Sequence, residues 1–327
     1  EWRARIQLSR MGADTTDAAM DEIKGAADQA IGVFTDLGDE WGLARSWSLL
    51  ASMHFNAGRA EAARKADENA ASHARAAGDT AAETWILVHA VRAAVHGPMK
   101  VEEGLALCGD VRDRVQGQPG YEAAVSHHAA LLEAMRGASE VARSAIARAE
   151  SIWRELGSTF SLTLLTIDAA GVEALAGDMD VAERELRSGH EAFRKMGAKG
   201  YQPTWAAQLA EVLVDLGRDG EALELTRESE ELSAEDDITA HVPWRRARAR
   251  ILARRGEAGE AELLGREAVA IAERTDWLNL QGDAYMALAE VLRLAGHTRE
   301  AAEAAGDAVE RYERKGNIVA AGWGHAL

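Results

Sequence analysis

Apolar residues recur along this chain at helical spacing, as at Leu209, Val212, Leu213 and Leu216, four positions that share one helix face. Such stretches run for about 17 to 19 residues and are punctuated by glycine. One series of breaks is Gly58, Gly97, Gly137, Gly177, Gly217, Gly256 and Gly296, each 39 or 40 residues after the last. A second series lies midway: Gly38, Gly78, Gly117, Gly157, Gly197, Asp237, Asp276 and Gly316, with Asp standing for Gly twice. Glycine ends a helix by taking a left-handed backbone, and a neighbouring Asp or Ser can cap the next one. The pattern predicts an all-α chain of about eight helical hairpins, helix A then helix B, stacked as an α-solenoid with a 40-residue period.

The expected units are 39–78, 79–117, 118–157, 158–197, 198–237, 238–276 and 277–316. Residues 1–38 read as a degenerate first hairpin, and 317–327 as the start of a C-terminal capping helix. Pro98, Pro119, Pro203 and Pro243 are expected in a first helical turn or just ahead of one, where a missing N–H costs little. Seven residues before each turn of the first series stand Ala51, Ala90, Ala130, Ala170, Ala210, Ala249 and Ala289. Five after it come Ala63, Ala142, Ala182, Ala222, Ala261 and Ala301, with Glu102 breaking the column. Columns of small residues predict close approach of A and B. If each hairpin touches only its neighbours, unfolding should be broad or multi-step.

Small residue, turn glycine, alanine and small residue at these offsets resemble the tetratricopeptide (TPR) repeat, as in "LAEVLRLAGHTREAAEAAGDAVERYERKGN" from Leu288 to Asn317. The aromatic usual eleven residues before the turn survives as Trp47 and Tyr285. The units are six residues longer than the ordinary TPR, so each helix should gain about a turn. The stretch from Trp244 to Gly296, followed by "YERKGNIVAA", is similar to C-terminal TPR regions of actinobacterial multidomain AAA/STAND ATPase signalling proteins, which carry class III nucleotide cyclase or LuxR-type domains. That resemblance implies a sensor or scaffold tail of a larger protein. The first residue is Glu1 rather than Met, which agrees with a piece of a longer chain.

Composition narrows the function classes. Alanine, the best helix former, accounts for 68 of 327 residues. Lys and Arg total 37 against 54 Asp and Glu, a net charge of −17, which disfavours nucleic acid as a partner. No uninterrupted apolar run reaches the roughly 18–20 residues that span a bilayer, so no membrane partner is expected. The single cysteine, Cys108, allows no intrachain disulfide and fits a cytoplasmic setting. It reads as a small packing residue on a B helix.

Catalytic patterns are missing. There is no phosphate-cradling GxxxxGK[ST] loop and no nucleophile elbow, and "HEAFR" at His190–Arg194 ends in Arg where a zinc-protease helix needs His. The pair His127–His128, near His89 and His96 in sequence, could suggest a metal. Neighbouring residues on a helix point about 100° apart, however, so no metal site is expected. The chain is read as non-enzymatic and free of cofactors.

Candidate binding residues come from the TPR register, in which A-helix positions about 10, 6 and 2 or 3 before the turn face the concave groove. These are Leu87, Val91 and Val95, then His127, Leu131 and Met135, then Ile167 and Leu175. They form either an apolar floor for a partner or packing between repeats. Arg246, Arg250 and Arg254 fall in the same register and could clamp a carboxylate or phosphate. Glu211 and Asp215 on one side and Asp283 and Glu290 on the other offer the alternative of salt bridges between repeats. The function expected is a protein-interaction module that holds a peptide, helix or neighbouring domain in its groove. Its alternative is a small-molecule inducer sensor whose ligand changes the solenoid's curvature. The oligomeric state is left open.

Overall fold

The structure, a computed structural model, describes residues 17–326, which form sixteen helices and no strand. The opening helix is α1 (Asp17–Leu37); the other half of the expected first hairpin lies outside the described residues. Seven hairpins follow. They pair α2 (Glu40–Asn56) with α3 (Ala60–Ala76), α4 (Thr80–His96) with α5 (Val101–Arg114), and α6 (Pro119–Met135) with α7 (Ser139–Glu155). Next come α8 (Thr159–Ala176) with α9 (Met179–Met196), and α10 (Gln202–Asp215) with α11 (Asp219–Leu232). The last two pair α12 (Ile238–Arg254) with α13 (Ala258–Ala272) and α14 (Leu278–Leu294) with α15 (Thr298–Lys315), and α16 (Ile318–Ala326) closes the chain.

Local chemistry explains most helix ends. Twelve glycines, from Gly38 to Gly316, hold a positive φ between helices. Asp39, Asp79 and Asp178 each accept a hydrogen bond from a backbone N–H of the helix they precede. Two expected punctuation marks differ. Gly97 has an ordinary φ of −77°; what it needs is space, because a Cβ there would lie 2.7 Å from the Cβ of Ala60. Pro243 lies inside α12, five residues past its start, since Asp237 caps that helix early by accepting from Thr239 N and Ala240 N.

The small-residue columns are where the hairpins close. All seven alanines before the turns and all six after them are buried, while Glu102 is exposed because α5 starts late and turns Val101, Gly104 and Cys108 inward instead. Gly189 shows the tightest approach: a Cβ there would meet Thr166 Oγ1 at 2.1 Å and the indole of Trp205. Trp205 donates its Nε1 hydrogen to that same hydroxyl at 2.9 Å. By length and hydropathy α8 could cross a membrane, but it packs against α6, α7 and α9, and it carries Asp168 and Glu173.

From α4 to α14 successive A helices touch, whereas successive B helices make at most slight contact. The A helices therefore run on the shorter, concave radius. The curvature is tight enough for the molecule to meet itself, so the expectation that repeats touch only their neighbours does not hold. Asp276 accepts from Ala60 N at 2.7 Å and Glu61 N at 2.9 Å, capping α3 from 216 residues away, and its own N–H donates to Gly58 O. Arg59, the residue just before α3, supplies no side-chain cap, so the distant carboxylate fills a vacancy in the helix's own hydrogen bonding. Trp277 stacks on His96 and packs against Phe55.

Lys315 completes this seam. It is wholly buried at the end of α15, and its Nζ donates to Ala94 O, Gly97 O and Met99 O, each at 2.8 Å. Burial pushes its pKa down to about 7, yet three carbonyls at a helix C-terminus match the three N–H bonds of the charged form. One superhelical turn thus takes a little over five repeats.

Candidate functional site on the concave face

The TPR register places the apolar candidates in an interface rather than on a surface. Leu87, Val91, Val95 and Met135 are buried in one cluster with Val125 and Leu132, where α4 and α6 touch. His127, Leu131, Ile167 and Leu175 are partly buried, and the last three pack against the same A-helix clusters. In these 40-residue units the face that the register points at the groove packs instead against the neighbouring A helix.

The arginine stripe is paired. Arg246 meets Glu211 at 2.6 Å and Asp283 at 3.4 Å. Arg250 meets Asp215 and Glu290, both at 2.6 Å, and Arg254 bridges Asp219 and Glu290. These are the acids that the sequence places one repeat either side, with Asp219 added. The three guanidiniums join α10, α12 and α14, so their charges are not free for a ligand.

The open wall is a different stripe. On α4, Trp85, His89, Arg92 and His96 follow one another at steps of four, three and four, and all are half-buried. Arg92 lies with its guanidinium 3.9 Å from the centre of the Phe55 ring. Its Nε is buried without a hydrogen-bond partner, and it forms no ion pair among the described residues. Burial lowers its pKa, against the opposing pull of Asp67 and Asp168.

Close to Arg92, near enough for its charge to act on His128 and Asp168, are His127 and His128 of α6 and Asp168 of α8. Nδ1 of His127 lies 3.4 Å from Asp168 Oδ2, and Nδ1 of His128 lies 3.7 Å from the same oxygen. Both Nδ1 atoms are buried and without a hydrogen bond. Adjacent histidines can share a target because Nδ1 sits next to the ring's attachment point: each ring turns its near nitrogen inward, offsetting the 100° between the Cβ directions. Burial lowers the pKa of His127 to about 4 and that of His128 well below its usual value, so both rings are neutral. Burial raises Asp168 to about 7, partly countered by the charge of Arg92. Of this wall only His127 stood among the sequence candidates. The stripe on α4 was legible as helical spacing, but nothing local marks it as the face left open.

In sequence, the chain matches no family model and no curated protein. In structure, it is similar to a Rap protein complexed with competence and sporulation factor, with 14% identity, a TM-score of 0.75, and coverage of 95% of this chain and 84% of that one. NprR in complex with its cognate peptide NprX matches 72% of this chain and 68% of its own, at 14% identity and a TM-score of 0.55. The fold is a TPR-like α-solenoid. A STAND signal-transduction ATPase with a tetratricopeptide repeat sensor, from Pyrococcus horikoshii, shares this solenoid over 93% of the present chain and 52% of its own, at 10% identity and a TM-score of 0.54. At these identities the likeness is one of fold.

Proposed function

We propose that this TPR-like solenoid is a non-catalytic interaction module that holds a peptide, or an extended segment of a partner or neighbouring domain, against its concave face. The reading extends to a cytoplasmic sensor tail of a larger ATPase-linked signalling protein. The observation that carries it is the half-buried stripe on α4, Trp85, His89, Arg92 and His96, in which the Arg92 guanidinium stacks on Phe55 and forms no ion pair among the described residues. An extended segment's backbone carbonyls would accept hydrogen bonds from that guanidinium, and its side chains would pack against Trp85. The Rap and NprR structures, solved with competence and sporulation factor and with NprX, support the class of ligand.

The test is selection of linear peptides from a displayed random library on the whole chain, followed by anisotropy titration of the enriched sequences. Arg92→Gln should weaken them at least tenfold. Arg266→Ala, on the convex face, should leave them unchanged. Failure to enrich any peptide, or equal binding by both variants, would remove the reading.

A further inference from the structure

His127, His128 and Asp168 hold more than a recognition wall. One donor atom from each lies within 4.8 Å of the other two, and no hydrogen bond inside the group accounts for the arrangement. The Nδ1–Oδ2 separations of 3.4 and 3.7 Å are too long for a good hydrogen bond. A tetrahedron with metal–ligand bonds of about 2.0–2.2 Å has neighbouring donors roughly 3.3–3.6 Å apart, so the first separation falls within that range and the second lies just beyond it. Octahedral magnesium would demand edges near 3 Å, and calcium would demand more oxygen donors than this group offers. Two imidazoles and one carboxylate form a zinc-type donor set with a fourth position open.

We infer that the concave wall binds one divalent transition-metal ion of the zinc class through His127 Nδ1, His128 Nδ1 and Asp168. The ion would tie α6 to α8, with water completing its fourth position. The site does not depend on the peptide reading and stands or falls alone. Neither Nδ1 has a hydrogen bond that an ion would have to displace. The competing cation is Arg92, which stacks on Phe55 instead of bonding to the carboxylate.

The experiment is a zinc titration of the metal-free whole chain against a chromophoric chelator, repeated with cobalt(II). The expected result is one ion per chain, with the intense visible absorption of tetrahedral cobalt. His128→Ala and Asp168→Asn should each weaken zinc binding at least tenfold, while His73→Ala, on α3, should not change it. Asp168→Asn keeps the side-chain shape, so it decides the matter if His128→Ala fails to retain its helical circular dichroism. No bound ion, an octahedral cobalt spectrum, or wild-type affinity in Asp168→Asn would overturn the site.

Discussion

Gly58 and Gly157 both hold a left-handed backbone, at φ +70° and +65°, so alanine at either carries about 1–2 kcal/mol of strain. Only Gly58 lies in the seam: a Cβ there would stand 2.5 Å from Thr275 Cγ2 and 2.8 Å from Ile238 Cδ1, whereas Gly157 has open space. Gly58→Ala is therefore expected to lose about 1–3 kcal/mol more than Gly157→Ala in urea unfolding; equal losses would mean that the seam yields freely. Asp67 makes a second test at this scale. It is 4% exposed, and burial raises its pKa to about 7 against the pull of Arg92. Below about 3.9, the unfolded value, both states are protonated and burial carries no electrostatic cost. As the pH rises toward 7 the unfolded chain ionises first, so stability falls, and it levels off above the folded pKa. Asp67→Asn should raise the melting temperature relative to wild type more at pH 8 than at pH 5. The gap is bounded at about 1.4 kcal/mol per unit of pKa difference, and equal shifts at both pH values would refute the assignment.

Among elements, the A helices divide into a paired half and an open half. On α12, Arg246→Ala would strand Glu211, which is 8% exposed, and should cost about 3–5 kcal/mol. Arg299→Ala, which breaks an exposed pair within α15, should cost about 0–1 kcal/mol. Calorimetric melting of the two variants separates these cases, and a small loss for Arg246→Ala would reopen the stripe as a ligand clamp. The pairing was legible because its acids sit close to one repeat away, so the period itself brings Glu211 and Glu290 to α12. The hairpins were legible for a similar reason: a left-handed turn is a demand that one residue answers locally. Asp276 was not. Its place in the glycine series marks a turn, while its partners, Ala60 N and Glu61 N, lie a whole superhelical turn earlier. The open wall was not legible because packing against the neighbouring A helix, which period alone does not set, decides which face of α4 is left uncovered.

At the scale of the whole molecule, the seam turns a one-dimensional stack into a closed turn. Coupling between repeats separated by more than 200 residues should make unfolding more cooperative than contacts between neighbours alone allow. Asp276→Ala together with Lys315→Met removes the distant cap and leaves three carbonyls without their donor. The double variant is expected to keep its helical circular dichroism, show a larger radius of gyration in small-angle scattering, and unfold in two resolved steps. An unchanged radius would mean that curvature is set by neighbour packing alone.

Closure also governs traffic. A segment bound along the inner wall of a closed turn would leave sideways only if the whole seam opened, Asp276 and Lys315 together with the packing of Trp277 on His96 and Phe55; otherwise it would slide out lengthwise. Exchange then keeps time with the opening of the latch rather than with diffusion, so capture falls below the roughly 10⁵–10⁷ M⁻¹s⁻¹ of an open surface and release slows with it. A free chain end can thread where a loop of a folded protein cannot. The six hydrogen bonds that one lysine and one aspartate make to the far side of the turn would thereby act as a timer for a segment held within it.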